Sequence, residues 1–247
     1  MKDEQLLRYS RQIMLPQMDV AGQQKLIDAT VLIVGMGGLG CPAAMYLAAA
    51  GVCHLIIADD DVVELTNLQR QVAHSHSMIG QPKVVSARQT LLGLNPDLKI
   101  TALQERLVGA NLSEAVSKAD LVLDACDNFT SRFAINAACI EHRKPLVSGA
   151  AIRMEGQIAV FDSRNPNSPC YQCLYSLGDD EDASCSENGV MAPLVGIIGA
   201  VQAMETIKLL TGIGESLTGR LLLLDASTLQ WREMRLPRDS NCGACSG

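Results

Sequence analysis

Val31-Leu32-Ile33-Val34-Gly35-Met36-Gly37-Gly38-Leu39-Gly40-Cys41-Pro42 is the stretch on which the architecture turns. Four consecutive aliphatic residues are the pattern of a parallel strand covered on both faces. They run into Gly35-x-Gly37-x-x-Gly40, which opens a predicted helix over Pro42 to Ala50. Glycines there permit a tight turn and let the backbone approach a phosphate at the positive helix N-terminus. Leu55 to Ala58 reads as the next strand and ends in Asp59-Asp60-Asp61. Asp59, 19 residues beyond Gly40, is placed to accept hydrogen bonds from ribose hydroxyls. Together these features point to an adenine nucleotide while leaving NAD, FAD and ATP open.

Outward from this core the alternation continues. A predicted helix starts at Pro82 and reaches Leu94, Asn95-Pro96-Asp97 turns the chain, and Lys99 to Leu103 reads as a strand. A short helix (111–118), a strand (120–124), a helix (130–142) and a strand (145–149) follow. Such alternation implies right-handed crossovers and a doubly wound, mostly parallel Rossmann-like sheet. After Gly149 the pattern changes: Gln157 to Phe161, Arg220 to Leu224 and Leu229 to Arg235 read as antiparallel additions. Between them lie an acidic loop (176–188) and an apolar helix (about 190–211), able either to pack in the core or to serve a dimer interface. An amphipathic helical segment over about 3–28 precedes the first strand. We expect one continuous domain over 1–247. Its nucleotide-binding portion spans 1–150, and 151–247 forms a C-terminal elaboration.

Composition narrows the partners. The 247 residues include 48% hydrophobic and only 3% aromatic side chains, which suits helices packed on a parallel sheet. Twenty Lys and Arg against 27 Asp and Glu give a net charge of −7, with no basic surface for nucleic acid or a membrane as the main partner. The charged N-terminus lacks a signal-peptide core, and the uncharged stretches 41–53 and 191–204 read as too short to span a bilayer. A soluble, cytoplasmic protein is expected.

Asn67-Leu68-Gln69-Arg70-Gln71, followed by Lys83, discriminates among nucleotides. An enzyme stabilising charge on a reacting triphosphate needs fixed cations; a dehydrogenase has little use for them. Asp127-Asn128 follows the fourth strand, at the edge where ligands bind in such folds. Asp127 suits a Mg²⁺ bridging phosphates, while an Asp-Asn pair also serves as a helix cap. Asp124, inside the apolar strand, reads as structural.

Nine cysteines form no even disulfide framework, but Cys170-x-x-Cys173 and Cys242-x-x-Cys245 are two knuckles that suit a closed tetrahedral Zn²⁺ site pinning the tail. Cys185 stands among Asp179, Asp180, Glu181 and Asp182, whose charges disfavour a thiolate. Cys41, Cys53, Cys126 and Cys139 read as small apolar fillers, and His74-x-His76 as a solvated loop pair.

The set Arg8-Tyr9-Ser10-Arg11-Gln12, the glycine loop, Asp59, Asn67–Gln71, Lys83 and Asp127-Asn128 resembles the ubiquitin-activating-enzyme-like adenylyltransferases over the whole chain. Within that family it is most similar to the bacterial branches serving molybdopterin and thiazole synthesis. The resemblance implies ATP-dependent adenylylation of the C-terminal glycine carboxylate of a small ubiquitin-fold sulfur carrier ending in Gly-Gly. It assigns Gly38 and Asp59 to the nucleotide, and Asn67, Arg70 and Lys83 to ribose and phosphates. Asp127, beside Asn128, goes to Mg²⁺, and Arg11 to the phosphates of a neighbouring subunit in a homodimer, a heterotetramer with its carriers. It also implies Zn²⁺ on the four knuckle cysteines and a thioester or persulfide role for Cys185. Because the chain stops two residues after Cys245, sulfur is expected from a separate donor protein. Ser148–Gln157 is closer to the molybdopterin branch, which we favour; Ala58–Asp61 and Leu103–Leu107 also resemble the thiazole branch. An NAD-dependent oxidoreductase and an inactive carrier-binding scaffold are the remaining rivals.

Overall fold

The computed structural model describes residues 1–175 and 189–246. Eight strands form one sheet: β1 (Thr30–Val34), β2 (His54–Ala58), β3 (Lys99–Leu103), β4 (Leu121–Asp124), β5 (Pro145–Ile152), β6 (Glu155–Asp162), β7 (Arg220–Asp225) and β8 (Gln230–Arg235). Their spatial order is β3-β2-β1-β4-β5-β6-β7-β8. The pairs among β1 to β5 are parallel and those from β5 to β8 antiparallel, as the change of pattern after Gly149 predicts.

The aliphatic strands split by alternation. Val31 and Ile33, Leu55 and Ile57, and Leu121 and Leu123 face one hydrophobic layer, built with helices α4 (Gly40–Ala50), α5 (Lys83–Leu94) and α9 (Ala192–Thr211). Leu32, Val34, Ile56 and Val122 face the other, covered by α6 (Gly109–Ser117) and α7 (Phe129–Glu141). Two-sided burial is why these strands read as unbroken apolar runs.

The N-terminal segment is not one helix. It breaks into α1 (Asp3–Arg8), α2 (Ser10–Ile13) and α3 (Asp19–Asp28). Pro16 has no N–H to continue a helical ladder, and Asp19 takes φ +49°. Tyr9, at the first break, turns inward, and its hydroxyl accepts from Asn95 Nδ2 at 2.9 Å. The fifth and sixth strands form a hairpin whose tip, Arg153 and Met154, carries Arg153 at φ +53°. Arg153 N donates to Gly189 O at 2.8 Å, tying the tip to the start of the last long helix. A short helix α8 (Tyr171–Leu174) holds the first cysteine knuckle.

Contrary to the expectation from its uncharged stretch alone, α9 is 20 residues long and by length and composition could cross a membrane. Here it packs against α4, β5 and β6. It buries polar side chains with partners: Gln202 Nε2 donates to Asp124 O at 2.7 Å, and Glu205 pairs with Lys208 and accepts from Leu217 N at 2.8 Å. Those are the bonds of a helix in a protein core.

Candidate functional site

The strand order reverses between β1 and β4, whose carboxyl ends diverge into a crevice, the place where ligands bind in open α/β sheets. The glycine loop leaves β1 there. Gly35 sits at φ +96°, and a Cβ on it would lie 2.8 Å from Ala125 O; a Cβ on Gly40 would lie 1.9 Å from Gly35 O. These two glycines let the loop fold back on itself against the end of β4.

Around it is a cavity of about 360 Å³ lined by Gly38, Asp59, Asn67, Arg70, Lys83, Asp127 and Asn128. Seven residues from five separate places in the sequence therefore meet in one cavity. Asp59, its side chain 8% exposed, accepts from Met36 N at 2.7 Å and from Asp61 N at 2.9 Å. Burial raises the Asp59 carboxyl above its ordinary value, while Lys83 and these two N–H groups oppose the rise. Lys83, at the start of α5, is buried, with Nζ 2.7 Å from Asp61 Oδ2 and 4.0 Å from Asp59 Oδ1. Arg70 donates to Thr66 O at 3.2 Å, which folds its side chain along the loop between β2 and α5. Asn128 caps α7 through Ser131 N at 2.9 Å, so the capping role expected for this pair is present, while Asp127 beside it is exposed to the cavity.

Gln71 also lines this wall and is 4% exposed; its Oε1 is buried without a hydrogen-bond partner among the described residues. A buried acceptor without a donor is costly. The cavity thus combines the cations Arg70 and Lys83 with the exposed carboxylate of Asp127, a fit for a nucleotide triphosphate and Mg²⁺.

Arg11 does not enter this cavity; it is exposed on α2. Cys185 lies outside the described residues. His74 corrects the sequence reading: it is 8% exposed and hydrogen-bonded inside the fold, whereas His76 is exposed. The turn over 71–74 carries it inward, an outcome that a polar loop composition does not signal. Cys41 and Cys139 are buried as expected, and Cys53 and Cys126 are partly so.

Arg132 escaped the sequence reading altogether. It is buried on α7, its Nη2 donating to Cys126 O at 2.5 Å and Gly149 O at 3.1 Å, with Nε 3.9 Å from Asp124 Oδ2. Asp124, 1% exposed, also accepts from Ser148 Oγ at 2.7 Å, which makes it the structural acid its strand position implies. Burial disfavours the guanidinium, but Asp124 together with Tyr171 and Cys126 outweighs it and keeps the group charged. The signal available in advance was a lone cation one turn into a helix with no other charge before Glu141. A second cavity, about 470 Å³, shares Asp127, Asn128, Arg132 and Ala151 with the first and extends along Gln157, Tyr175, Leu223 and Arg232.

The two cysteine knuckles meet as predicted. Cys170 and Cys242 sulfurs are 3.6 Å apart, Cys173 and Cys245 3.6 Å, and Cys170 and Cys173 3.9 Å. All four lie within 4.8 Å of one another. With Zn–S bonds of about 2.3 Å, a tetrahedron places its sulfurs about 3.8 Å apart. The donor set and spacing fit Zn²⁺.

The fold and this crevice define a class, and the chain belongs to the ThiF family, whose family model matches residues 9–244. Two relatives show the range within it. The molybdopterin-synthase adenylyltransferase of Escherichia coli (strain K12) is 50% identical over 245 residues, 99% of this chain and 98% of its own. The sulfur carrier protein ThiS adenylyltransferase of the same organism is 47% identical over 247 residues, 100% of this chain and 98% of its own. Among solved structures, that of E. coli MccB with ATP shares the fold at TM-score 0.82 and 20% identity, covering 96% of this chain and 76% of that one.

Proposed function

We propose that the chain is an adenylyltransferase that uses ATP to activate the C-terminal glycine carboxylate of a small ubiquitin-fold sulfur carrier, the small subunit of molybdopterin synthase. The observation that carries this reading is the meeting of Gly38, Asp59, Asn67, Arg70, Lys83 and Asp127 on one cavity that shares Asp127 and Arg132 with an adjacent second one. The first would take the nucleotide. The second would lead the carrier's Gly-Gly tail toward it.

In this mechanism the carrier carboxylate attacks the α-phosphorus, the bond to the β-phosphate oxygen breaks, and pyrophosphate leaves an acyl-adenylate. A terminal carboxyl, with an ordinary pKa of about 3.5, is already ionised at neutral pH, so no general base is required. The work is to bring two anions together and to neutralise charge developing between them. Asp59 would hold the ribose, Asn67 the ribose and phosphates, and Arg70 and Lys83 the phosphates. Asp127 would hold Mg²⁺, which supplies Lewis-acid charge neutralisation when bound. Zn²⁺ on Cys170, Cys173, Cys242 and Cys245 would be structural, tying the tail to α8.

We assign Arg11 to the phosphates of a second subunit, consistent with its exposure on α2. The apolar groove between α4 and α9, lined by Met45, Tyr46, Val72, Leu94 and Ile197, supports a homodimer. The cellular setting consistent with this activity is the cytoplasm. The thiazole carrier is the second reading, favoured by the 47% identity to the ThiS adenylyltransferase.

The test is mass spectrometry of each purified carrier after incubation with the chain, ATP and Mg²⁺. Gain of one AMP on the molybdopterin carrier is expected; gain only on the thiazole carrier selects the second reading, and gain on neither rejects both.

A further inference from the structure

We propose that His74 is a positioning residue that sets the orientation of the glycine loop for ATP by holding the Met36 carbonyl. The proposal rests on the nucleotide reading of the first cavity and adds to it a residue outside the phosphate-binding set.

The hydrogen-bond directions are fixed by elimination. His74 Nε2 lies 3.0 Å from Met36 O, and a carbonyl only accepts, so the proton is on Nε2. In the neutral ring Nδ1 is then the acceptor, and Ser86 Oγ, 3.0 Å away, donates to it. Cys41 Sγ, 3.3 Å from the same carbonyl, is a second and weaker donor. On the other side of the residue, Met36 N donates to Asp59 Oδ2 at 2.7 Å. Met36 itself is fully buried. Its backbone is therefore clamped at both polar groups, by His74 on one and by the proposed ribose acid on the other.

This clamp bears on the phosphate side of the loop. The peptide joining Met36 to Gly37 is trans, so its N–H points opposite to its carbonyl. Drawing the carbonyl inward toward His74 turns the Gly37 N–H outward, toward the cavity that Gly37 lines. Ser86 stands on α5, the helix that begins with Lys83, and Thr90 of that helix donates to Ala73 O at 2.7 Å, next to His74. One rigid helix thus sets both the cation and, through His74, the loop amide. A nucleotide phosphate would need the two in register.

The test uses the full chain and Mg·ATP without carrier, by titration calorimetry, alongside calorimetric binding of the carrier. His74→Leu removes the donor; His74→Gln restores an amide N–H at similar reach; Ser86→Ala frees the ring tautomer. Loss of one buried donor predicts ATP binding about tenfold weaker in His74→Leu and about threefold weaker in Ser86→Ala. His74→Gln should return to within about threefold of wild type, with carrier affinity unchanged throughout. Folded His74→Leu with wild-type ATP affinity overturns the proposal, as does equal loss in His74→Leu and His74→Gln. Should His74→Leu fail to fold, unchanged ATP affinity in Ser86→Ala overturns it. A wild-type chain that binds no ATP rejects the nucleotide reading itself, and this proposal with it.

Discussion

Lys83 Nζ lies 2.7 Å from Asp61 Oδ2, an ion pair between a buried cation and an exposed acid that both line the crevice. Its second carboxylate, Asp59, is 4.0 Å away and itself buried. A phosphate that reaches Lys83 must compete with Asp61, so the strength of nucleotide binding depends on a balance between protein and ligand anions.

That balance is open to substitution. Lys83→Met removes the cation and leaves Asp59 with burial less opposed. Carrier-dependent pyrophosphate exchange should fall by about a hundredfold or more, the scale seen when one preorganised charge-stabilising group is lost. Asp61→Asn removes the competitor and one repulsive charge, and ATP affinity measured by calorimetry should tighten by about threefold at low salt.

The Asp124–Arg132 pair makes a stability prediction. Arg132→Met strands a fully buried carboxylate and leaves the carbonyls of Cys126 and Gly149 short of a donor. Removing one member of a buried pair costs about 3–5 kcal/mol, and urea unfolding should show a loss in that range.

Metal removal has its own signature. Elemental analysis should find one Zn²⁺ per chain, and Cys173→Ala should lose it. Because zinc binding is folding free energy for the tail, the melting temperature should drop by roughly 10 °C, with nucleotide affinity little changed. Retention of metal by the variant would reject the four-sulfur site.

A pH dependence follows from the two buried or partly buried imidazoles. Burial lowers the His74 and His54 pKa values from 6.5, with Lys83 adding to the effect at His74 and Lys99 at His54. With a lowered folded-state value, the unfolded chain takes up protons first as pH falls below about 6.5. Stability from these groups is complete above that pH and is lost toward the folded-state values. Urea midpoints measured between pH 7.5 and 5.5 should fall, and His74→Gln should flatten that slope.

Much of the site could be read from residue types. Strand ends and the glycine loop are local consequences of steric freedom and apolar patterning, and Asp59, Asn67, Arg70, Lys83 and Asp127 all fall at loop positions beyond strands or at a helix start. Arg132 stood out only as a lone charge near the start of its helix, and His74 not at all. Each is a polar side chain whose burial is decided by partners far along the chain: Gly149 O and Asp124 for one, Met36 O and Ser86 for the other. Of the two breaks in the N-terminal helical segment, Pro16 signals the second, while the first was hidden, since Tyr9 turns inward to meet Asn95 from a distant turn.

The amino-acid order alone determined the doubly wound sheet, its antiparallel extension, the glycine loop and the two cysteine knuckles. Those depend on periodicity, glycine sterics and ligand spacing over short range. Only the tertiary structure decided which polar groups are buried and who satisfies them, because a desolvated donor or acceptor is tolerable only where folding brings its complement within hydrogen-bond reach.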